Sequence, residues 1–161
     1  MSDFEIPQGE FNYFLYFLRC MDGYYYVGIS QNIYHRLKQH KEGRGSVMTK
    51  QHKPIELLGV WDLGILTYQN AEYIENEFTL YFMSIYGNGV RGGSWSGKKQ
   101  DVQKILEKNI PYCPCNVYDM VEINFKFKKV KIKKKKKNKK SPKMKFKNRQ
   151  EQIEWICRGK K

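Results

Sequence analysis

Two tyrosines, an arginine, a histidine and a glutamate carry most of the chemistry this 161-residue chain can offer. Tyr16 lies in the aromatic run Tyr13-Phe14-Leu15-Tyr16-Phe17-Leu18, and Tyr26 in Tyr24-Tyr25-Tyr26-Val27-Gly28-Ile29-Ser30. Arg36 and His40 follow within one short stretch, and Glu75 comes later. Phenols, a permanent cation, an imidazole and a carboxylate are the parts of a metal-assisted phosphodiester hydrolase. That reaction needs a nucleophilic water, charge stabilisation at phosphorus and help for the departing 3′ oxygen. Arg36 is always charged and can fork onto phosphate oxygens. Glu75 can hold a Mg²⁺ that keeps most of its waters, because this ion prefers oxygen ligands and dehydrates reluctantly. Such an ion acts as a Lewis acid. The side chains leave the base open. A phenol has an ordinary pKa of about 10 that a neighbouring cation lowers, while His40 suits the task on intrinsic pKa alone.

These groups need a framework, and its elements are legible. Residues 11 to 19 and 24 to 30 are rich in aromatic and β-branched side chains and flank Asp22-Gly23, which predicts a hairpin. The first strand is apolar on both faces, as a central strand must be. Asn32 can cap a helix that runs to about Lys41 and stops at Gly43. Arg36 and His40, four apart, then point to one side of it, beside the apolar stripe of Ile33 and Leu37. The loop Gly43-Arg44-Gly45-Ser46 is flexible and basic, either a phosphate contact or a plain helix stop. A third strand is expected over residues 55 to 61 after Pro54. A second helix, capped by Asn70 and ended by Gly87, buries Ile74, Phe78, Tyr81 and Ile85, with Glu75 beside that stripe. Residues 87 to 95 are turn-rich and expected as a loop. A short helix is expected over 101 to 109, and the alternation of Val121, Ile123, Phe125 and Phe127 with polar residues predicts a half-buried strand.

The net charge of +14 is local. Lys126 to Lys147 contains 14 lysines and no acid, so the remainder sums to about zero (+14 minus +14). This predicts a near-neutral body over residues 11 to 96, an accessory segment over 97 to 125, a lysine-rich tail over 126 to 147 and a terminal helix over 148 to 161. The tail favours polyanions through counterion release without reading sequence. No amphipathic anchor or long apolar stretch supports a membrane role. The N-terminus lacks the pattern of a secretory signal. Four cysteines show no disulfide framework, which predicts an intracellular protein of nucleus or cytoplasm. Cys113, Cys115 and Cys157 match no standard zinc spacing, and free thiols are expected.

Over roughly residues 12 to 95 the pattern resembles the GIY-YIG nuclease superfamily. The two signature triplets are matched by Phe14-Leu15-Tyr16 and Tyr26-Val27-Gly28, with Phe14 where the first glycine stands. Tyr16 through Gly23, Gly28-Ile29-Ser30, Arg36-Leu37-x-x-His40 and Gly43-x-Gly45 look like its small single-domain branch. Ala71 and Glu75 match its helical Ala-x-x-x-Glu element. Val90-Arg91-Gly92-Gly93 is similar to members found in large DNA viruses, which would make the chain virus-encoded. The resemblance implies an α+β fold, a small three-stranded antiparallel sheet flanked by helices, here with a lysine-rich C-terminal extension. It implies Tyr16 as base or base relay, Tyr26 and His40 positioning water and phosphate, and Glu75 holding Mg²⁺ or Mn²⁺. Asn88 would take the family's late asparagine role. Further nucleic-acid contacts are expected from Arg44, Arg91, Lys133, Lys134, Lys135, Lys136 and Lys137. The expected substrate is DNA, with RNA second. The alternative is a nonenzymatic DNA-binding, packaging or particle-associated protein on the same scaffold.

Overall fold

The computed structural model describes residues 5–96, 101–109, 111 and 113–127. The first strand, β1 (Glu10–Cys20), turns through Met21–Gly23 into β2 (Tyr25–Ser30). Asp22 and Gly23 both take positive φ, 63° and 78°, the left-handed pair that lets a tight turn follow the strand twist. Asn32 then caps α1 (Ile33–Lys41), its side chain accepting from the His35 N–H. Next come α2 (Val47–Gln51), β3 (Pro54–Thr67), α3 (Tyr68–Tyr86), β4 (Val90–Gly92), α4 (Val102–Lys108) and β5 (Asp119–Met120).

Among the described residues the sheet has five strands in the order β4-β2-β1-β3-β5. The three expected strands form its antiparallel centre, β1 pairing with both β2 and β3. The expected sheet was too small and too uniform. β4 adds in parallel to β2, and β5 adds to the outer edge of β3. The sheet is therefore mixed. Residues 90–92 are not merely loop, because the chain leaving α3 returns beside β2 and satisfies its edge.

Alternation along β1 builds a core on each face. Tyr13, Leu15 and Phe17 join Trp61, Phe78 and Phe82 under α3, and Phe17 stacks on Phe82 with centroids 3.9 Å apart. Tyr16 and Leu18 join Tyr26, Leu37, Met48 and Val60 on the opposite face, under α1 and α2. Central β1 is thus buried on both sides, as its sequence predicts. Residues 121–127 make no regular strand, although Phe127 is buried in the second core and Val121, Ile123 and Phe125 pack against it. Within this segment the Val121 N–H reaches the Val60 carbonyl at 2.7 Å, but no strand ladder continues beyond Met120.

Two further boundaries move. Thr67, not Asn70, caps α3: its side chain accepts from the Asn70 N–H. β3 runs on to Thr67, past a register shift opposite Tyr13 and Phe14. The lysines Lys133 to Lys137, the helix expected over 148–161 and Cys157 lie outside the described residues. Among the described residues Cys20 and Cys113 are free thiols.

Candidate active site

Tyr16 projects from β1 directly opposite Gly28 on β2. A Cβ at position 28 would overlap the Tyr16 hydroxyl and its ring carbon. The glycine of Tyr26-Val27-Gly28 is thus a steric requirement of the phenol, and any other residue there would displace it. Tyr16 is fully buried at 0% exposure, and its hydroxyl sits 2.7 Å from His40 Nε2. On the other side of that imidazole, Nδ1 lies 2.9 Å from Thr49 Oγ1. The Thr49 hydroxyl donates to the Ser46 carbonyl at 3.1 Å, which leaves its oxygen to accept. His40 Nδ1 therefore carries the proton, and Nε2 accepts from the Tyr16 O–H. A Cβ at Gly45 would overlap the imidazole, so the Gly43-x-Gly45 loop serves His40 sterically.

Arg36 completes this layer. Its Nε–H donates to Tyr16 Oη at 3.3 Å, and Tyr26 lies within hydrogen-bonding reach of both Arg36 and Ser46. Burial works against the guanidinium charge, but the two phenols outweigh it and keep Arg36 charged. Burial and the Tyr26 phenol raise the Tyr16 pKa well above its ordinary value, and Arg36 only partly opposes them. This corrects the expectation of a phenol lowered by its neighbouring cation: desolvation wins. Burial, then Arg36, pushes His40 down to about 3, so its imidazole is neutral at physiological pH.

Glu75 comes from α3, across the sheet from α1. Tyr16, Tyr26, Arg36 and Glu75 line one cleft of about 560 Å³, together with Gly28, Ile29 and Gly93. Burial and then Glu72 raise the Glu75 pKa to about 8, against the opposing backbone hydrogen bonds of Ile29 and Gly93 and the charge of Arg36. Asn76 holds the Gly93 turn in place, accepting from Ser94 N–H at 2.9 Å and donating to Ser94 Oγ at 3.1 Å. Among the described residues no three His, Cys, Asp or Glu side chains cluster as a metal cage. Glu75, the carboxylate of this cleft, fits a hydrated Mg²⁺ or Mn²⁺, and among the described residues no closed zinc site forms.

His40 lies behind Tyr16, outside the cleft lining. Two expected nucleic-acid contacts are not there either. Arg91 is 2% exposed. Its guanidinium donates to the Asn88 and Val90 carbonyls and lies 5.4 Å from the Tyr24 ring centroid. The corrected role is structural, because parallel pairing of β4 turns this side chain inward. Asn88 accepts from the Val102 N–H at 3.2 Å and so ties down the start of α4. Arg44 is exposed and pairs with Glu42. Sequence reasoning missed Thr49 and Asn76. Ser46-x-x-Thr49 did carry a signal, since serine three residues ahead of a bonded N–H is a helix cap, and Ser46 accepts from Thr49 N–H at 3.2 Å.

Residues 12–79 match the family model described as GIY-YIG catalytic domain. Similar curated proteins include the UPF0213 protein of Nitratidesulfovibrio vulgaris, 45% identical over 55 residues, which covers 33% of this chain and 50% of that one. The UPF0213 protein YazA of Bacillus subtilis is 36% identical over 47 residues, 29% of this chain and 48% of its own length. The chain thus spans about half the length of these relatives. No solved structure matches it significantly.

The two shifted groups set the pH dependence of stability. Folded Glu75 holds its proton between its ordinary 4.5 and about 8, so its contribution is present at low pH and lost as pH rises through 8. Folded His40 gives up its proton early, so its contribution is lost as pH falls from 6.5 to 3. Between pH 6.5 and 8 only the Glu75 effect acts of the two. In EDTA, wild-type stability should fall by about 1–2 kcal/mol across that interval, and Glu75→Gln should flatten the fall in urea melts. An equal fall in both proteins would show that Glu75 is not the desolvated acid.

Proposed function

This chain belongs to the GIY-YIG nuclease superfamily through residues 12–79, and on that premise we propose that it is a divalent-metal-dependent endonuclease that hydrolyses DNA. Residues 11–96 form the catalytic domain in this reading, and the lysine-rich stretch 126–147 adds sequence-independent affinity. The observation that carries it is the convergence of Tyr16, Tyr26, Arg36 and Glu75 on one cleft, with neutral His40 bonded behind Tyr16.

The scissile phosphate sits between Arg36 and Glu75. Arg36 neutralises charge that develops on the phosphoryl oxygens. Glu75 would hold a Mg²⁺ or Mn²⁺, which would supply Lewis-acid stabilisation of the developing charge. Tyr16 directs its proton at His40 Nε2, which leaves a lone pair on Oη for the attacking water. As that water attacks phosphorus and the P–O3′ bond breaks, its proton passes to Tyr16 Oη and the phenolic proton to His40 Nε2. The released 3′ oxygen takes a proton from solvent. An anionic phosphate opposes the desolvation that keeps His40 neutral, so the imidazole gains basicity when substrate binds. Both candidate bases thereby act in series. Tyr26 orients Arg36 and the phosphate, and Arg44 meets the flanking backbone.

Cleavage of supercoiled plasmid tests this. Wild type should nick DNA with Mg²⁺ and not with EDTA, while Arg36→Ala and Glu75→Ala should lose at least about a hundredfold in rate yet still bind. Binding by wild type without any cutting, on duplex and branched DNA alike, would favour the nonenzymatic scaffold instead. The lysine stretch has its own test. Changing Lys133 to Lys137 to glutamine should lower the slope of log affinity against log salt by up to about 4. An unchanged slope would remove these lysines as the anchor.

A further inference from the structure

A second groove lies on the far side of α1 from the cleft. Tyr34, Lys38 and Lys41 recur at helical spacing, and at 100° per residue their stripe is centred roughly 160° from Arg36. With Glu42 and Phe125 they line a groove of about 450 Å³. Tyr34 is 53% exposed, far more than an aromatic needs merely to complete a core. Lys41 Nζ stands 5.6 Å from the Phe125 ring centroid. Glu42, the acid among these residues, is already engaged, 3.9 Å from Lys38 Nζ and bonded to Arg44. The groove therefore pairs two aromatic surfaces with cations on its rim, and its Phe125 wall leads through Phe127 straight into the lysine run.

We propose that the groove bounded by Tyr34, Lys38, Lys41 and Phe125 binds a single-stranded segment of nucleic acid, with an unpaired base on the aromatic side chains and its phosphates on the lysines. Aromatic faces flanked by cations are how unpaired strands are held without sequence preference. A duplex keeps its base faces stacked and cannot use Tyr34 this way. The chain's own lysine run is the disfavoured occupant, since it would bring like charge against Lys38 and Lys41. The inference rests on the proposed function only for the identity of the polyanion. It specifies that the substrate carries an unpaired strand which lies on the opposite side of α1 from the scissile phosphate.

Affinities of the 161-residue chain are measured in EDTA, so that a protein without nuclease activity still gives an answer. The probes are an oligothymidylate and a duplex of equal length. Tyr34→Ala should weaken the single strand about tenfold and the duplex by less than about twofold. Ultraviolet cross-linking of the same oligonucleotide carrying 5-iodouracil should label Tyr34 or Phe125. Equal effects on both probes, or label confined to other residues, would overturn the proposal without touching the nuclease reading. A Tyr34→Ala protein that is less stable yet binds the single strand unchanged would also overturn it. Failure of wild type to bind either probe would sink both readings.

Discussion

The hydrogen bond between the Tyr16 hydroxyl and His40 Nε2 organises this protein. It is made inside a hydrophobic core, where an unmatched phenol or imidazole would be costly. Everything around it is arranged so that neither group goes unmatched. Gly28 leaves room for the phenol, Gly45 leaves room for the imidazole, and Thr49 takes the proton on the far nitrogen. The short helix α2 exists in part to present Thr49. Its N-cap, Ser46, accepts the Thr49 N–H through its side chain and the Thr49 hydroxyl through its carbonyl. Local capping, core packing and the protonation state of His40 are thus parts of one arrangement.

The sheet separates the two kinds of chemistry. On one face the phenols, guanidinium and imidazole hold each other in fixed protonation states. On the other, α3 is anchored by the Phe17–Phe82 stack and sends Glu75 past the sheet into the shared cleft. Because desolvation raises both Tyr16 and Glu75, the cleft is largely uncharged apart from Arg36 at mildly acidic to neutral pH. Such a site is set to receive a cation beside Glu75 and an anion beside Arg36, each lowering the cost of the other. In the proposed reaction, metal uptake at Glu75 would be coupled to release of its proton.

Much of this was legible in the residues, for identifiable reasons. The hairpin at Asp22-Gly23, the Asn32 cap, the two-faced burial of β1 and the end of α3 at Gly87 are local signals, and local signals survive folding. The five side chains singled out for chemistry were found because type, order and spacing coincide with a family pattern, and four of them line one cleft. What escaped depends on tertiary neighbours. β4 is three residues long and exists only by pairing with β2, so its glycine-rich sequence reads as loop, and Arg91 reads as exposed. Thr49 and Asn76 act through partners that only the fold brings near. The pKa of Tyr16 was read from its cation and not from its burial, which no sequence pattern reports. The alternation over 121–127 does record which side chains turn inward, but not whether the backbone finds a partner strand.

The most direct measurement is of the His40 ring nitrogens by ¹⁵N NMR between pH 4 and 8 on the metal-free protein. The structure predicts a neutral imidazole with the proton on Nδ1 throughout, still unprotonated at pH 5 because its pKa lies at about 3. In Thr49→Val the preference for that tautomer should be lost. Titration of wild-type His40 near its ordinary value, or an Nε2-protonated ring, would contradict the buried chain from Tyr16 through His40 to Thr49 on which the site is built.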